Sequence, residues 1–297
     1  MTLQRKDLDL LKGAIDMHVH AAPDLHPRLL DEMEVCIEAR KFGMRAIVFK
    51  SHYAPNADRM LFIRKNIQGI DAFGGIVLNP HVGGLNPYAV EACLRFGGKV
   101  VWMPSLFSEA HLKWLREHHA TTYGTFAKEA TRLPPKEIRI LNEKNELLPE
   151  VIEILGLIAD FNAILATSHL SVEESRILVK EAKNYGVKKI VITHPYMTIP
   201  NMPRKIQIEL AREGAYLEHC FSALTPMWLS VSIDEVVQCI KEAEPERCII
   251  STDLGQVHNP SPVEGLRVYI CSLLEKGLSP SDIEVMVKKN PEKLLYE

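Results

Sequence analysis

Short runs of β-branched and apolar residues recur along this chain, each running directly into polar residues and each followed by a stretch of helical spacing. Strands buried on both faces read this way, and their alternation with helices is the pattern of βα units around a parallel sheet. The runs are Gly13-Ala14-Ile15 into Asp16-Met17-His18, Arg45 to Phe49 into Lys50-Ser51-His52, and Phe73 to Leu78 into Asn79-Pro80-His81. Next come Lys99 to Met103 into Pro104, Ala163 to Ala166 into Thr167-Ser168-His169, and Lys189 to Ile192 into Thr193-His194. Ala215 to Leu217 into Glu218-His219-Cys220 and Arg247 to Ile250 into Ser251-Thr252-Asp253 complete the set. Helices are expected over 30–42, 58–68, 88–96, 149–160, 172–185, 201–213 and 233–243, with two terminal helices over 263–276 and 281–296. Eight βα units in 297 residues fit an α/β fold of the (β/α)8 TIM-barrel type better than a doubly wound sheet. The chain then reads as one domain, residues 1–297.

The rhythm breaks once. After the fourth run the next strand begins about 60 residues on, where the earlier spacing is about 25 to 30. An insertion after strand 4 is therefore expected, about 105–148, with a small hairpin in which Glu137 to Leu141 and Glu146 to Leu148 flank Asn142-Glu143-Lys144-Asn145. Long insertions of this kind are often lids or binding loops. His111, His118 and His119, at helical spacing within it, are expected on a solvated face. His26, beside Pro27, is given no role.

The formal net charge of −3 gives no global basic signal, so neither nucleic acid nor an anionic membrane is expected as a partner. The first twelve residues lack the apolar core of a signal peptide, and no stretch reaches about 18 uninterrupted apolar residues. A soluble, cytoplasmic protein is expected. The six cysteines are scattered, with no C-x-x-C pair, and read as buried thiols, except that Cys220 lies next to a polar strand end. Apolar positions in the insertion and terminal helices leave a homo-oligomer open.

The polar residues at the run ends are where a barrel keeps its chemistry, because all strand ends converge on one mouth. They include His18, His20, Lys50, His52, His81, His169, His194, Glu218, His219 and Asp253, with His258 just beyond the last strand. Residues i and i+2 of a strand share a face, so His18 and His20 can offer two ligands to one ion. Glu218 and His219 alternate, so only one of them readily faces the mouth. Neutral imidazoles with a carboxylate suit Zn²⁺ foremost and also Mn²⁺, Fe²⁺ or Ni²⁺, as one ion or two.

His-x-His after the first strand, single histidines after the fifth and sixth and an aspartate after the eighth resemble the amidohydrolase superfamily, which includes phosphotriesterase-like and TatD-like hydrolases. Lys289-Asn290-Pro291-Glu292-Lys293-Leu294-Leu295 is similar to the Asn-Pro-x-x-x-Leu helix that often ends such barrels. The segments from His18 to Asp24 and from Ser251 to Gln256 resemble an uncharacterised branch of metal-dependent hydrolases. The resemblance implies that His18 and His20 hold the more buried metal, that Asp253 is both ligand and proton acceptor, and that His169 and His194 hold a second ion. One departure stands out. Binuclear members bridge their ions with a carboxylated lysine or a glutamate at the end of the fourth strand, where this chain has Val101-Trp102-Met103-Pro104. Either Lys50 is carboxylated or it binds a substrate anion, or the site holds one ion; the substrate-binding ammonium is preferred.

Such a site lowers the pKa of water while a carboxylate takes the proton, and Asp253 has the chemistry of that base. Lys50, His81 or His219 would steady developing negative charge. Lys50, His52, His81 and Trp102 would meet the substrate, although packing is the simpler role for Trp102 and Tyr53. The expected activity is hydrolysis of an amide, lactone, ester or phosphoester bond in a small molecule. The alternatives are a metal-dependent decarboxylase, a Schiff-base barrel using Lys50 and a non-catalytic barrel.

Overall fold

The computed structural model describes residues 5–119, 133 and 135–297. Its elements are α1 (Lys6–Leu11), β1 (Ile15–Val19), α2 (Glu32–Lys41), β2 (Ala46–Phe49), α3 (Ala57–Asn66), β3 (Asp71–Phe73) and β4 (Gly75–Val77). They continue as α4 (Pro87–Arg95), β5 (Val100–Trp102), α5 (Glu109–Glu117), α6 (Pro149–Asp160), β6 (Ile164–Ala166), α7 (Val172–Asn184), β7 (Lys189–Thr193) and α8 (Arg204–Arg212). The remainder is β8 (Tyr216–Cys220), α9 (Ile233–Ala243), β9 (Cys248–Ser251), α10 (Pro262–Glu275), α11 (Pro280–Glu284) and α12 (Asn290–Tyr296). Every strand pairing is parallel, in the orders β1-β2-β3 and β4-β5-β6-β7-β8-β9. The arrangement is an α/β fold that fits a TIM barrel.

Side chains alternate across these strands, and the alternation divides the core in two. Ile47, Val101, Leu165, Ile192, Leu217 and Ile250 pack outward against the helices. Ala46, Val48, Val100, Trp102, Ile164, Ala166, Val191, Tyr216 and Ile249 form an inner cluster, completed by Leu294 and Leu295 of α12. Below the mouth, the interior is thus filled with side chains rather than open.

The two ladders do not join through regular strand pairing. The expected third strand is split at Gly74 into β3, which pairs with β2, and β4, which pairs with β5. Here Asn56 takes over: its Nδ2 donates to the Phe49 carbonyl at 3.0 Å and its Oδ1 accepts from the Gly75 amide at 2.8 Å. A Cβ on Gly74 would overlap the Asn56 side chain, so only glycine admits this wedge. Between β9 and β1, buried Asp16 plays a similar part, accepting from the Thr252 hydroxyl at 2.5 Å, the Thr252 amide at 3.0 Å and the His18 amide at 3.2 Å. Burial pushes its carboxyl up to about 7. Backbone bonds from Asp253 N to His18 O and from His20 N to Leu254 O, both 2.8 Å, continue this seam toward the mouth.

Residues 103–163 separate β5 from β6. They include α5, a parallel bridge from Ser108 to Ile138, an antiparallel bridge from Leu141 to Leu147, and α6. Residues 120–132 and 134 of the expected insertion lie outside the described residues. Among the described residues no helix is long and apolar enough to cross a membrane.

Candidate metal centre and cavity

Beyond the apolar runs, backbone geometry departs from strand. Ser168, His194 and Asp253, all non-glycine residues just past β6, β7 and β9, adopt positive φ of 53°, 30° and 53°. Conformations of this kind cost of order 1–3 kcal/mol each and cluster at functional sites. In β1 the register slips between Asp16 and Val19. The slip lets Met17 join the inner cluster while His18, next in sequence, also turns inward.

His18 Nε2 and His20 Nε2 each lie 3.1 Å from one oxygen, Oδ1 of Asp253, and all three residues are buried. These atoms fall within 4.8 Å of one another, close enough to share one ion. On its other edge His18 Nδ1 is 3.2 Å from Glu218 Oε2 and 3.9 Å from Cys220 Sγ. A carboxylate can only accept, so Nδ1 carries the proton and Nε2 presents a lone pair. That Nε2 makes no hydrogen bond among the described residues, although it is buried against a carboxylate oxygen. His18 Nε2 and Asp253 Oδ1 thus face each other as electron-pair donors with no proton between them, a conflict that a divalent cation resolves, and His18, His20 and Asp253 fit one. Asp253 Oδ2 is held by the Ser222 hydroxyl at 3.0 Å.

The remaining histidines extend from this centre. The His52 ring stacks on His20 at 4.7 Å, and its Nδ1 meets Ser105 Oγ at 2.9 Å. His169 and His194 lie with ring centroids 4.9 Å apart, and the His194 ring is 5.9 Å from that of His18. Burial holds His20, His52 and His169 well below the usual histidine range and His194 at about 3, so all four are neutral rings. Burial also lowers the Lys50 ammonium, opposed by Asp253 and Glu218 nearby. His20, Lys50, His52, His169, His194 and Asp253 line one cavity of about 210 Å³ at the strand ends, and His258 lines it too.

Three expected site residues lie elsewhere. His219 points outward, because alternation along β8 turns Tyr216, Glu218 and Cys220 inward; its ring stacks on Tyr196 at 5.9 Å. Trp102 belongs to the inner cluster beneath the cavity, its ring 6.3 Å from that of His18 and 5.8 Å from Lys50 Nζ. His81 sits exposed in a short 3₁₀ turn, edge-on to Tyr53 at 4.7 Å and to Phe107 at 5.3 Å.

Other residues enter that the sequence reading left out. His118 and His119 are exposed as expected, but His111 is not: it is 1% exposed, and its Nδ1 lies 2.7 Å from His169 Nδ1. Ser108 caps α5 by accepting from the His111 amide at 3.1 Å and donates to the His169 carbonyl at 2.7 Å, which fixes the pair. His26 lines the cavity and meets the Tyr53 hydroxyl at 2.6 Å. Arg28 lines it as well. The alternation along β8 was the available signal for Glu218, whereas none pointed to His111 or Arg28.

The fold is like that of several solved amidohydrolase, hydrolase and decarboxylase structures. The chain belongs to the family DUF6282, a family of unknown function, whose model matches residues 13–218. An amidohydrolase from Pseudomonas aeruginosa superposes with a TM-score of 0.66 at 13% identity, over 99% of this chain and 98% of that one. A probable 2-pyrone-4,6-dicarboxylic acid hydrolase from Acinetobacter baumannii gives 0.60 at 14%, over 95% and 99%. The 2,6-dihydroxybenzoate decarboxylase from Rhizobium gives 0.53 at 11%, over 96% and 98%. At these identities the likeness is one of fold. No curated protein matches the sequence.

Proposed function

We propose that this chain is a metal-dependent hydrolase acting on an amide, lactone, ester or phosphoester bond of a small molecule. The observation that carries the reading is the convergence of His18 Nε2, His20 Nε2 and Asp253 Oδ1. These three would hold a divalent ion, Zn²⁺ foremost, with His169 and His194 as the ligands of a second. A bound ion supplies Lewis acidity, lowering the pKa of water and polarising the scissile group. Asp253 takes the water's proton on Oδ2, the oxygen that Ser222 orients. Glu218 keeps the His18 proton on Nδ1. The Lys50 ammonium and His52, both on the cavity wall, bind the substrate and steady the negative charge that develops on it. His219, turned away from the cavity, takes no part.

A decarboxylase is the second reading. It is favoured by the fact that the two three-donor clusters among the described residues share His18 and neither includes His169 or His194, and by a β5 that ends in Trp102 and Met103 with no bridging ligand. We further infer one domain, in which Leu106 and His111 of the segment after β5 wall the cavity, a cytoplasmic location, and no nucleic-acid or membrane partner; a homo-oligomer is compatible with this reading.

The test is metal content by inductively coupled plasma mass spectrometry on the wild type and a His18→Ala, His20→Ala variant. One or two ions per chain, lost in the variant, is the expected result. No ion after reconstitution with Zn²⁺, Mn²⁺ or Fe²⁺ refutes the reading. Carbon dioxide release without uptake of water then separates decarboxylation from hydrolysis.

A further inference from the structure

We propose that the substrate is the anion of a small carboxylic acid with an apolar or aromatic body, and that Arg28 is the residue that selects it. Of the charged side chains lining the cavity among the described residues, Arg28 and Lys50 are cationic and Asp253 alone is acidic. The inference rests on the metal reading above, because an ion held by Asp253 takes up that one negative charge. The wall that remains carries the Lys50 ammonium and the Arg28 guanidinium, the latter paired with Asp24, which does not line the cavity.

The guanidinium is built into place. The Arg28 side chain is 5% exposed, and its Nε and Nη2 both donate to Oδ2 of Asp24, at 3.0 and 2.7 Å. Asp24 has a fully buried side chain and accepts from the His26 amide at 3.1 Å. The loop itself is clasped to the segment after β9 by an Arg28–Gln256 bridge and by the Leu29 amide, which donates to the Gly255 carbonyl at 3.0 Å. Arg28 therefore cannot swing out to water and needs no ordering when a ligand arrives. Its Nη1 makes no hydrogen bond among the described residues, which leaves an edge of the fork for a carboxylate.

The rest of the cavity sets the body of the ligand. Leu106, Met197, Ile199, Met227 and Trp228 line it, a thioether-rich and aromatic surface suited to a flat apolar group. A cavity of about 210 Å³ has room for a single-ring acid.

The test uses benzoate and its neutral isostere benzamide as probes, titrated calorimetrically into the metal-reconstituted full chain. Benzoate is expected to bind at least tenfold more tightly than benzamide. Arg28→Gln is expected to weaken benzoate about tenfold and abolish most of that preference, with Arg28→Lys between the two. If Arg28 only braces Asp24, thermal stability falls but the benzoate preference survives, and the proposal is overturned. It is overturned equally if benzoate fails to bind or binds no better than benzamide. Metal content measured on the same samples keeps the two readings apart: absence of metal refutes the metal centre, whereas intact metal without carboxylate preference refutes Arg28's role.

Discussion

His219 offers a quantitative check on the buried face of β8. Its ring is buried, both nitrogens lack a hydrogen-bond partner among the described residues, and burial lowers its pKa to about 3. In the unfolded chain the same imidazole titrates near 6.5. A histidine depressed by folding leaves stability untouched above pH 6.5 and removes it as the pH falls toward 3, because only the unfolded state takes up the proton. Between pH 7.5 and 5.5 the loss is about 1.4 kcal/mol, roughly one pKa unit's worth. Replacement by Phe keeps the stack on Tyr196, gives up no hydrogen bond seen in the structure and removes this titration. Urea unfolding of wild type and His219→Phe, followed by circular dichroism at pH 7.5, 6.5 and 5.5, measures the difference. Titration of the other histidines and of bound metal is common to both proteins and cancels. The two stabilities should diverge by about 1.4 kcal/mol in favour of the variant over this range. Parallel curves would mean that His219 is protonated or solvated in the native state, and the outward packing described for it would be wrong.

Two further outcomes follow from the metal centre. Glu218→Leu removes the acceptor that fixes the His18 tautomer, so Zn²⁺ affinity measured by competition with a chromophoric chelator should drop about 10- to 100-fold; unchanged affinity would detach Glu218 from the site. At Gly255, where φ is +141°, a Cβ would overlap the His20 carbonyl oxygen. Gly255→Ala should therefore destabilise the fold by about 1–3 kcal/mol and lower metal occupancy through His20, both read from thermal unfolding and metal analysis; a variant with native stability and full metal would contradict that close approach.

Much of this architecture was legible in the sequence because a two-face-buried strand leaves a continuous apolar run, and the polar residues that stop each run mark the mouth. His18, His20, His52, His169, His194, Lys50 and Asp253 were found that way; the cavity brings all but His18 together, and His18 lies behind it against Asp253. Facing was harder to read. In β8 the choice between Glu218 and His219 depends on which parity points inward, and the neighbours Tyr216 and Leu217 are both apolar, so polarity does not decide it. In β1 the slip that turns both Met17 and His18 inward obeys no period at all. The third strand looked continuous because Gly74 and Gly75 carry no side chain to break the apolar pattern, yet they admit Asn56 and carry His81 into a turn outside the cavity. His111 looked solvent-facing because its helix reads as an isolated amphipathic turn, whereas in the structure it packs on His169 and is buried. Arg28 lies in a loop, where no periodicity exists to say which way a charge points.

The Asn56 wedge has a mechanical meaning. A wall of uninterrupted strand pairing resists widening as a hoop does, with tension shared by many equivalent bonds. This wall is instead split between β3 and β4 and fastened there by a clasp of few bonds, the Asn56 side chain to Phe49 and Gly75 and the Asn56 amide to the Gly75 carbonyl at 3.2 Å. Lys50 and His52 ride on one lip of the split and Asn79 on the other, tied across it by the Asn79 Nδ2 bond to the His52 carbonyl at 3.0 Å. Substitutions at the clasp would therefore act on the aperture beside His20 and Asp253 without touching either residue.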